Sequence, residues 1–304
     1  MASEKEMFTY IEAVHLLQNS WGVRNVKERL RNEQKDLADE IVRVIHEKVA
    51  FQNVVLLSSP DINKRPTYDE IKERCISGIG GLCCDMAPFT WGLFKALGFS
   101  VRMVSSVVTG SQTAPNNHVL LLIDGLEKES DVHLIDCGTG CPTFRAVSLN
   151  FSDESPTFFD SFLEYKYIHF GSKVLRMHGQ GDRFKRNDPP IEDLDFIVGH
   201  WRRFYSFDPA ERPCDPYKPA KDVYRTIAAG HTTFMSNLRA VWFPRKRAVA
   251  IANNRLLVEN EARELVTTLL NSDEEILKAF HVHFPQFKPE TVKRAVAQWH
   301  RMSQ

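Results

Sequence analysis

Two adjacent thiols, Cys83 and Cys84, follow Gly78, Gly80 and Gly81 and precede Asp85 and Pro88. A glycine turn that runs into a helix is a setting in which a cysteine can become a nucleophile. A free thiol ionises near pH of about 8.5, and a helix N-terminus or a histidine partner brings that to roughly 3.5–7.5. Asp85 is suited to act as N-cap, with Met86, Ala87 and Pro88 as the first turn. Proline fits where helical N–H groups have no internal acceptor, so the spacing predicts a helix that begins no earlier than about this point. Both thiols then lie just ahead of the positive end of the helix dipole.

A base for the thiol comes from a hairpin. Residues 118–123 read His-Val-Leu-Leu-Leu-Ile, 124–130 form a polar turn, and 131–136 return as Asp-Val-His-Leu-Ile-Asp. Symmetry about Glu127 sets His118 directly opposite Asp136, at a cross-strand Cβ separation of about 4.5–5.5 Å that lets an imidazole and a carboxylate meet. Leu120, Leu122, Val132 and Leu134 share that face and would desolvate the pair. A slip of one residue would break the pairing. A carboxylate that orients a histidine beside a cysteine is the arrangement of a Cys-His-Asp triad. Neighbouring side chains point different ways, so only one of the two thiols can face His118.

The other chemistry-bearing residues read as structural. His133 lies on the opposite face of the same hairpin. Cys137 and Cys141 flank Gly138-Thr139-Gly140. No second pair completes a four-ligand metal site, and no helix clearly follows to make a phosphate loop, so packing is expected and no metal. His281 and His283 flank Val282 in an aromatic, strand-like end.

The elements that hold these residues follow from periodicity. Apolar positions recur at helical spacing over 7–17 and 26–49, with Asn25 and Glu28 spaced as a capping box, and Thr67 with Glu70 opens a further helix over 67–76. The first 97 residues therefore read as helical. From residue 98 short β-favouring runs at 100–108, 118–123, 132–136, 167–170 and 173–177 predict an antiparallel sheet or barrel. Residues 179–190 and 208–221 read as loops. Beyond them 232–243 and 247–253 read as a hairpin around Pro244, followed by helices over 272–280 and 289–302.

With 304 residues, 43% of them hydrophobic, the chain can bury one large core or several compact ones. Lysine plus arginine and aspartate plus glutamate both number 39, so nothing favours nucleic acid or an anionic membrane as a partner. The first residues are charged where a signal peptide would be apolar, and no run approaches the roughly 18 apolar residues of a membrane span, which leads to a cytoplasmic expectation. The 6 cysteines should then be reduced.

On these motifs the chain resembles the arylamine N-acetyltransferases. Their pattern Arg-Gly-Gly-x-Cys-x-Glu-x-Asn lines up with residues 79–87, and residues 93–99 match the Leu-Phe…Leu-Gly-Phe that follows it. Residues 49–53 are similar to their Pro-Phe-Glu-Asn segment, 118–122 to the strand opening with their histidine, and 136–140 to their Asp-Val-Gly-Phe-Gly. Residues 201–207, 233–239 and 252–256 resemble later landmarks. The likeness spans roughly residues 20–284.

The resemblance implies an α+β fold of three parts: a helical subdomain (1–97) carrying the nucleophile, an antiparallel β-barrel (98–215) carrying the histidine and aspartate, and an α/β lid (216–304). It selects Cys83 over Cys84 and implies ping-pong transfer of acetyl from acetyl-coenzyme A, a cosubstrate rather than a bound cofactor, to a small arylamine or hydrazine. Cys83 would attack the thioester, His118 would shuttle the proton and Asp136 would hold the imidazole. Thr109 and Gly110 resemble positions near the coenzyme. Ile79, Asp85, Ala87 and Thr139 depart from the family pattern, and with Ile79 for arginine the charge pair flanking the cysteine is expected to be absent. Two rival readings keep the same residues: a thiol hydrolase or transglutaminase-like enzyme, and a noncatalytic homologue. The oligomeric state is left open.

Overall fold

The computed structural model describes residues 6–108, 116–182, 197–230 and 232–303. The chain opens with helices α1 (Tyr10–His15), α2 (Val26–Asn32) and α3 (Gln34–Lys48), then a short strand β1 (Phe51–Gln52), and α4 (Val54–Ser58), α5 (Tyr68–Ile76) and α6 (Cys83–Ala96). In α3, Leu37, Ile41, Val44 and Ile45 recur every three or four residues and are buried, while Lys35–Asp39 and Arg43–Glu47 pair on the solvent side. The continuous helix expected over 26–49 is interrupted at Glu33, whose backbone leaves helical geometry. Asn25 adopts a left-handed conformation and makes no side-chain cap bond, so the capping box expected there does not form. The one expected at Thr67 does: its hydroxyl accepts the Glu70 N–H while Glu70 accepts the Thr67 N–H.

The middle of the chain is a curled antiparallel sheet, a half-barrel. Its strands are β2 (Ser100–Val108), β3 (His118–Asp124), β4 (Val132–Ile135), β5 (Val147–Ser148), β6 (Phe158–Asp160), β7 (Leu163–Phe170), β8 (Lys173–His178), β9 (Ile197–Val198) and β10 (Trp201–Phe207). They run in the order β5-β4-β3-β2-β10-β8-β7-β6, with β9 beside β10. Alternation divides the sheet's two faces. Val119, Leu121, Ile123 and Ile135 join the core of the helices, whereas Leu120, Leu122 and Leu134 join Tyr165, Tyr167, Phe204 and Tyr205. Each such aliphatic side chain contributes about 1.5–3 kcal/mol by leaving water.

After β10 come α7 (Lys218–Ala228), β11 (Arg239–Trp242), β12 (Val249–Ala252), β13 (Arg255–Glu259), β14 (Leu265–Leu269), α8 (Asp273–His283) and α9 (Pro289–Ser303). The expected loop over 208–221 thus ends in a helix, whose Ala220, Val223 and Ile227 pack into the core around α6. His281 and His283 are helical rather than strand-like. The second sheet runs β1-β11-β12-β13-β14, so a strand from the helical third of the chain completes the C-terminal sheet. Asn53 reinforces that seam: its amide donates to the Phe234 and Asn237 carbonyls and its oxygen accepts the Arg239 N–H. Among the described residues no helix is long and apolar enough to cross a membrane.

Candidate active site

Cys83 is the first residue of α6, and Leu82, in extended conformation, is its N-cap. The helix therefore begins earlier than Pro88 suggested, and Asp85 is not the N-cap. Pro88 lies in the helix interior, where the missing N–H sacrifices one i→i−4 bond instead of setting the helix start. Asp85 Oδ2 reaches back to accept the Leu82 N–H at 3.1 Å, capping one of the free donors of the first turn. Its Oδ1 accepts from Arg74 Nη2 at 3.1 Å and from the Tyr224 hydroxyl. The charge pair expected to be absent beside the cysteine is present: α5 supplies the guanidinium, and Ile79 packs against the core shared by α4 and the second sheet.

The turn before the nucleophile is tied to β1. Gln52 donates its N–H to the Gly81 carbonyl at 3.0 Å, and its side chain donates to Gly80. Gly80 has φ +69, and a Cβ there would stand 1.9 Å from the Ala50 carbonyl oxygen, so only glycine fits.

The hairpin register differs from the expectation by two residues. Leu121 pairs with Ile135 and Leu122 with Leu134, which centres the turn on Lys128 rather than Glu127. Asp131 sets this: its carboxylate accepts the backbone N–H groups of Leu126, Glu127 and Lys128, closing a tight polar turn. His133 Nε2 meets Glu127 at 3.2 Å on the same turn. A two-residue slip preserves the face of every side chain, where a one-residue slip would invert it. His118 and Asp136 are thus diagonal rather than direct neighbours, and they still meet, with Nε2 3.3 Å from Oδ1. Asp136 lies just past the end of β4, and the Gly138 N–H donates to Oδ1 at 3.1 Å.

The three side chains converge in a buried site, with Cys83 and His118 each 2% and Asp136 1% exposed. The His118 ring is within hydrogen-bonding reach of the Cys83 thiol, and the Val119 N–H points at the same sulfur. A Cβ on Gly138 would come within 2.9 Å of Cys83 Cα, so a bare backbone lets the Asp136 segment approach the helix. Contact with the Cys84 thiol lowers the Cys83 pKa; burial opposes this, and the cationic His118 reinforces it. Burial disfavours the His118 imidazolium, yet Asp136 and Cys83 beside it raise its pKa to about 10. Burial likewise pushes against ionised Asp136, and His118 and Arg176 outweigh it and hold the carboxyl below its usual range. These directions favour a thiolate facing an imidazolium.

Cys84 faces elsewhere. Together with Asp85, Arg74, Ile79 and Tyr224 it lines a cavity of about 460 Å³ whose lining includes neither Cys83 nor His118. Burial and the Asp85 charge push its pKa well up. The cavity therefore meets the thiol whose ionisation is disfavoured. Cys137 and Cys141 are buried in two different cores, and burial pushes both thiols up, Cys141 to about 12. Thr139 is buried and its hydroxyl accepts the Cys141 N–H, and Ala87 is 6% exposed within the helical core. Thr109 and Gly110 lie outside the described residues.

Several residues at the site went unread in the sequence. Arg74 and Tyr224 meet at Asp85 from distant positions. His46 of α3 lies close to Asp136, and burial lowers its pKa to about 4. The Tyr205 ring lies 5.7 Å from that of His118. Arg176 is completely buried and faces Asp136. One signal was available: Arg176 interrupts the apolar pattern of a short strand.

The sequence profile of a family described as N-acetyltransferase matches residues 36–285. No curated protein matches the chain. Solved structures do. The chain is similar to the arylamine N-acetyltransferase of Mycobacterium abscessus, with a TM-score of 0.68 and 14% identity over 91% of this chain and 95% of that one. The Salmonella typhimurium arylamine N-acetyltransferase gives 0.67 and 15% over 96% and 99%. The Mycobacterium marinum enzyme in complex with CoA gives 0.66 and 15% over 91% and 98%. At such identities these likenesses establish the fold, and the profile, matching most of the chain, establishes the family. The chain belongs to the N-acetyltransferase family and carries the arylamine N-acetyltransferase fold.

Proposed function

We propose that the protein transfers acetyl from acetyl-coenzyme A to a small arylamine or hydrazine in two half-reactions through an acetyl-Cys83 thioester. The observation that carries this reading is the buried convergence of Cys83, first in α6, with His118 and Asp136. In the first half-reaction the Cys83 thiolate attacks the thioester carbonyl. The C–S bond to the coenzyme breaks, and the imidazolium of His118 gives its proton to the departing thiolate. In the second the amine attacks acetyl-Cys83, neutral His118 takes a proton from the amine nitrogen, and the Cys83 thiolate leaves. Asp136 holds one ring nitrogen of His118 throughout and leaves the other for the sulfur. Covalent catalysis suits the task because it divides one transfer into two easier steps. The CoA complex of the M. marinum structure supports a coenzyme A donor. In this reading 216–304 acts as the lid over a site whose histidine and aspartate come from 98–215 and whose nucleophile comes from 1–97.

Mass spectrometry after mixing with acetyl-coenzyme A tests the reading. One acetyl group should appear on Cys83, be absent in Cys83→Ser, and persist in Cys84→Ser. An unmodified Cys83 in folded protein overturns it. Labelling by an ester or amide but by no coenzyme thioester would mark a thiol hydrolase. A Cys83 titrating near the ordinary thiol pKa of about 8.5 would mark a noncatalytic homologue.

A further inference from the structure

Arg176, on β8, is the bulkiest of the fully buried side chains, and burying a guanidinium costs several kcal/mol unless its surroundings compensate. Nη1 donates to Thr143 Oγ1 at 2.6 Å and Nη2 to the Pro142 carbonyl at 3.0 Å. The Tyr165 ring centroid lies 4.5 Å from the guanidinium carbon, and Tyr167, Phe204 and Tyr205 complete an aromatic cage at 5.8–6.0 Å. The carboxylate it faces is Asp136, with Nη1 3.6 Å from Oδ2. Asp136 is thus divided between two cations: His118 on Oδ1 and Arg176 on Oδ2. Arg176 also grips residues 142 and 143, just downstream of Asp136 in the same loop.

We propose that Arg176 is a positioning residue of this site, holding the Asp136 segment and supplying the positive charge that lets Cys83 exist as a buried thiolate. The inference rests on the acyl-transfer reading above. Its argument is charge balance in a region closed to water. Thiolate and carboxylate contribute two negative charges, imidazolium and guanidinium two positive ones.

The other titratable groups facing the site do not alter that sum. His46, from α3, is neutral at working pH, its pKa lowered to about 4 by burial. Burial also keeps the phenols of Tyr165 and Tyr167 from β7 and Tyr205 from β10 un-ionised. Cys84, beside Cys83 on α6, stays a thiol. Asp160, at the end of β6, is compensated by Arg145 at 2.6 Å. Removing the guanidinium leaves one uncompensated negative charge, and the thiolate is the group that can discharge it by taking a proton near neutral pH.

The test is the pH dependence of Cys83 alkylation by iodoacetamide, read by peptide mass mapping in wild type, Arg176→Met and Arg176→Lys. The expected result is a midpoint raised by about one pH unit or more in Arg176→Met and held near wild type in Arg176→Lys. A folded Arg176→Met with an unchanged midpoint, or Arg176→Lys shifted as far as Arg176→Met, overturns the proposal. Should Arg176→Met not fold, thermal melting of Asp136→Asn against Asp136→Asn/Arg176→Met decides. Arg176 without Asp136 is an uncompensated buried cation, so the double variant should melt higher than the single, and a double variant melting no higher overturns the proposal. Neither measurement involves coenzyme A, so a low, Arg176-dependent midpoint without acetylation would reject the acyl donor and leave the role of Arg176 standing.

Discussion

Cys83 and Cys84 share one helix end, one burial class and one dipole, yet their thiols are driven in opposite directions. The contact between the two thiols favours the Cys83 thiolate at the expense of Cys84, and His118 and the Val119 N–H add to this, whereas burial and the Asp85 carboxylate disfavour a Cys84 thiolate and outweigh the Tyr224 hydroxyl that favours it. The dipole acts on both and cannot separate them. What separates them is the contact between the two thiols, which favours ionising one at the expense of the other, together with the opposite sign of the charges beside them. In the proposed reaction the two faces of the first turn of α6 are therefore one reactive half and one anchoring half. Asp85, joined to Arg74, Tyr224 and the Leu82 N–H, holds the helix start in place for the other side.

The strongest way to break this contrast is to remove the cation. His118→Gln should return Cys83 towards the ordinary thiol range and slow acetylation at neutral pH by about 10²–10⁴. Rapid-quench mass spectrometry reads the rate. In the wild type the pH dependence carries the same signature. With the His118 pKa raised to about 10, the proton that the proposed reaction gives to the departing coenzyme thiolate should be available below that pH and lost above it. On the acid side the rate falls only where the Cys83 thiolate itself takes a proton, below the ordinary thiol range. An acid limb centred at the ordinary thiol pKa would show that the two faces do not differ.

A smaller effect follows from spacing. Gly138→Ala places a methyl 2.9 Å from Cys83 Cα and must push the Asp136 loop or α6 aside. A displacement of this kind costs about 10²-fold in rate, with thermal stability changing less than in a core truncation. Retention of full acetylation activity would show that the loop and helix have slack.

The smallest expected effect lies on the anchoring half. Asp85→Asn weakens three hydrogen bonds, all charge-assisted by the carboxylate, and should cost roughly 1–3 kcal/mol in urea denaturation. It should also lower the Cys84 pKa, because the carboxylate that raises it is gone, while Cys83 acetylation stays close to wild type. An effect on Cys83 as large as that of His118→Gln would erase the division between the halves.

Local chemistry was legible where it is decided locally. The capping box at Thr67 needs only Glu70 three residues on. The α6 helix announces its apolar content, and the face shared by His118 and Asp136 follows from strand parity, which survives the two-residue shift of register. The shift was not legible because Asp131, which causes it, acts by folding its carboxylate back onto three N–H groups of the turn. The start of α6 was misread for a similar reason: proline disfavours an interior position, and tertiary packing overrode that preference here.

What residue types and spacing made legible is a candidate set of groups, a thiol at a helix start with a histidine and an aspartate on one face of a hairpin, and the α+β class around them. What only the assembled fold decided is which charges surround them. Arg74 reaches Asp85 across a turn and Tyr224 reaches it from α7, while Arg176 meets Asp136 from a strand that pairs with neither β3 nor β4. Such meetings depend on chain crossings that no local pattern encodes. Under the proposal above, one of those distant charges, Arg176, felt through a poorly screening interior, is what lets Cys83 be a thiolate.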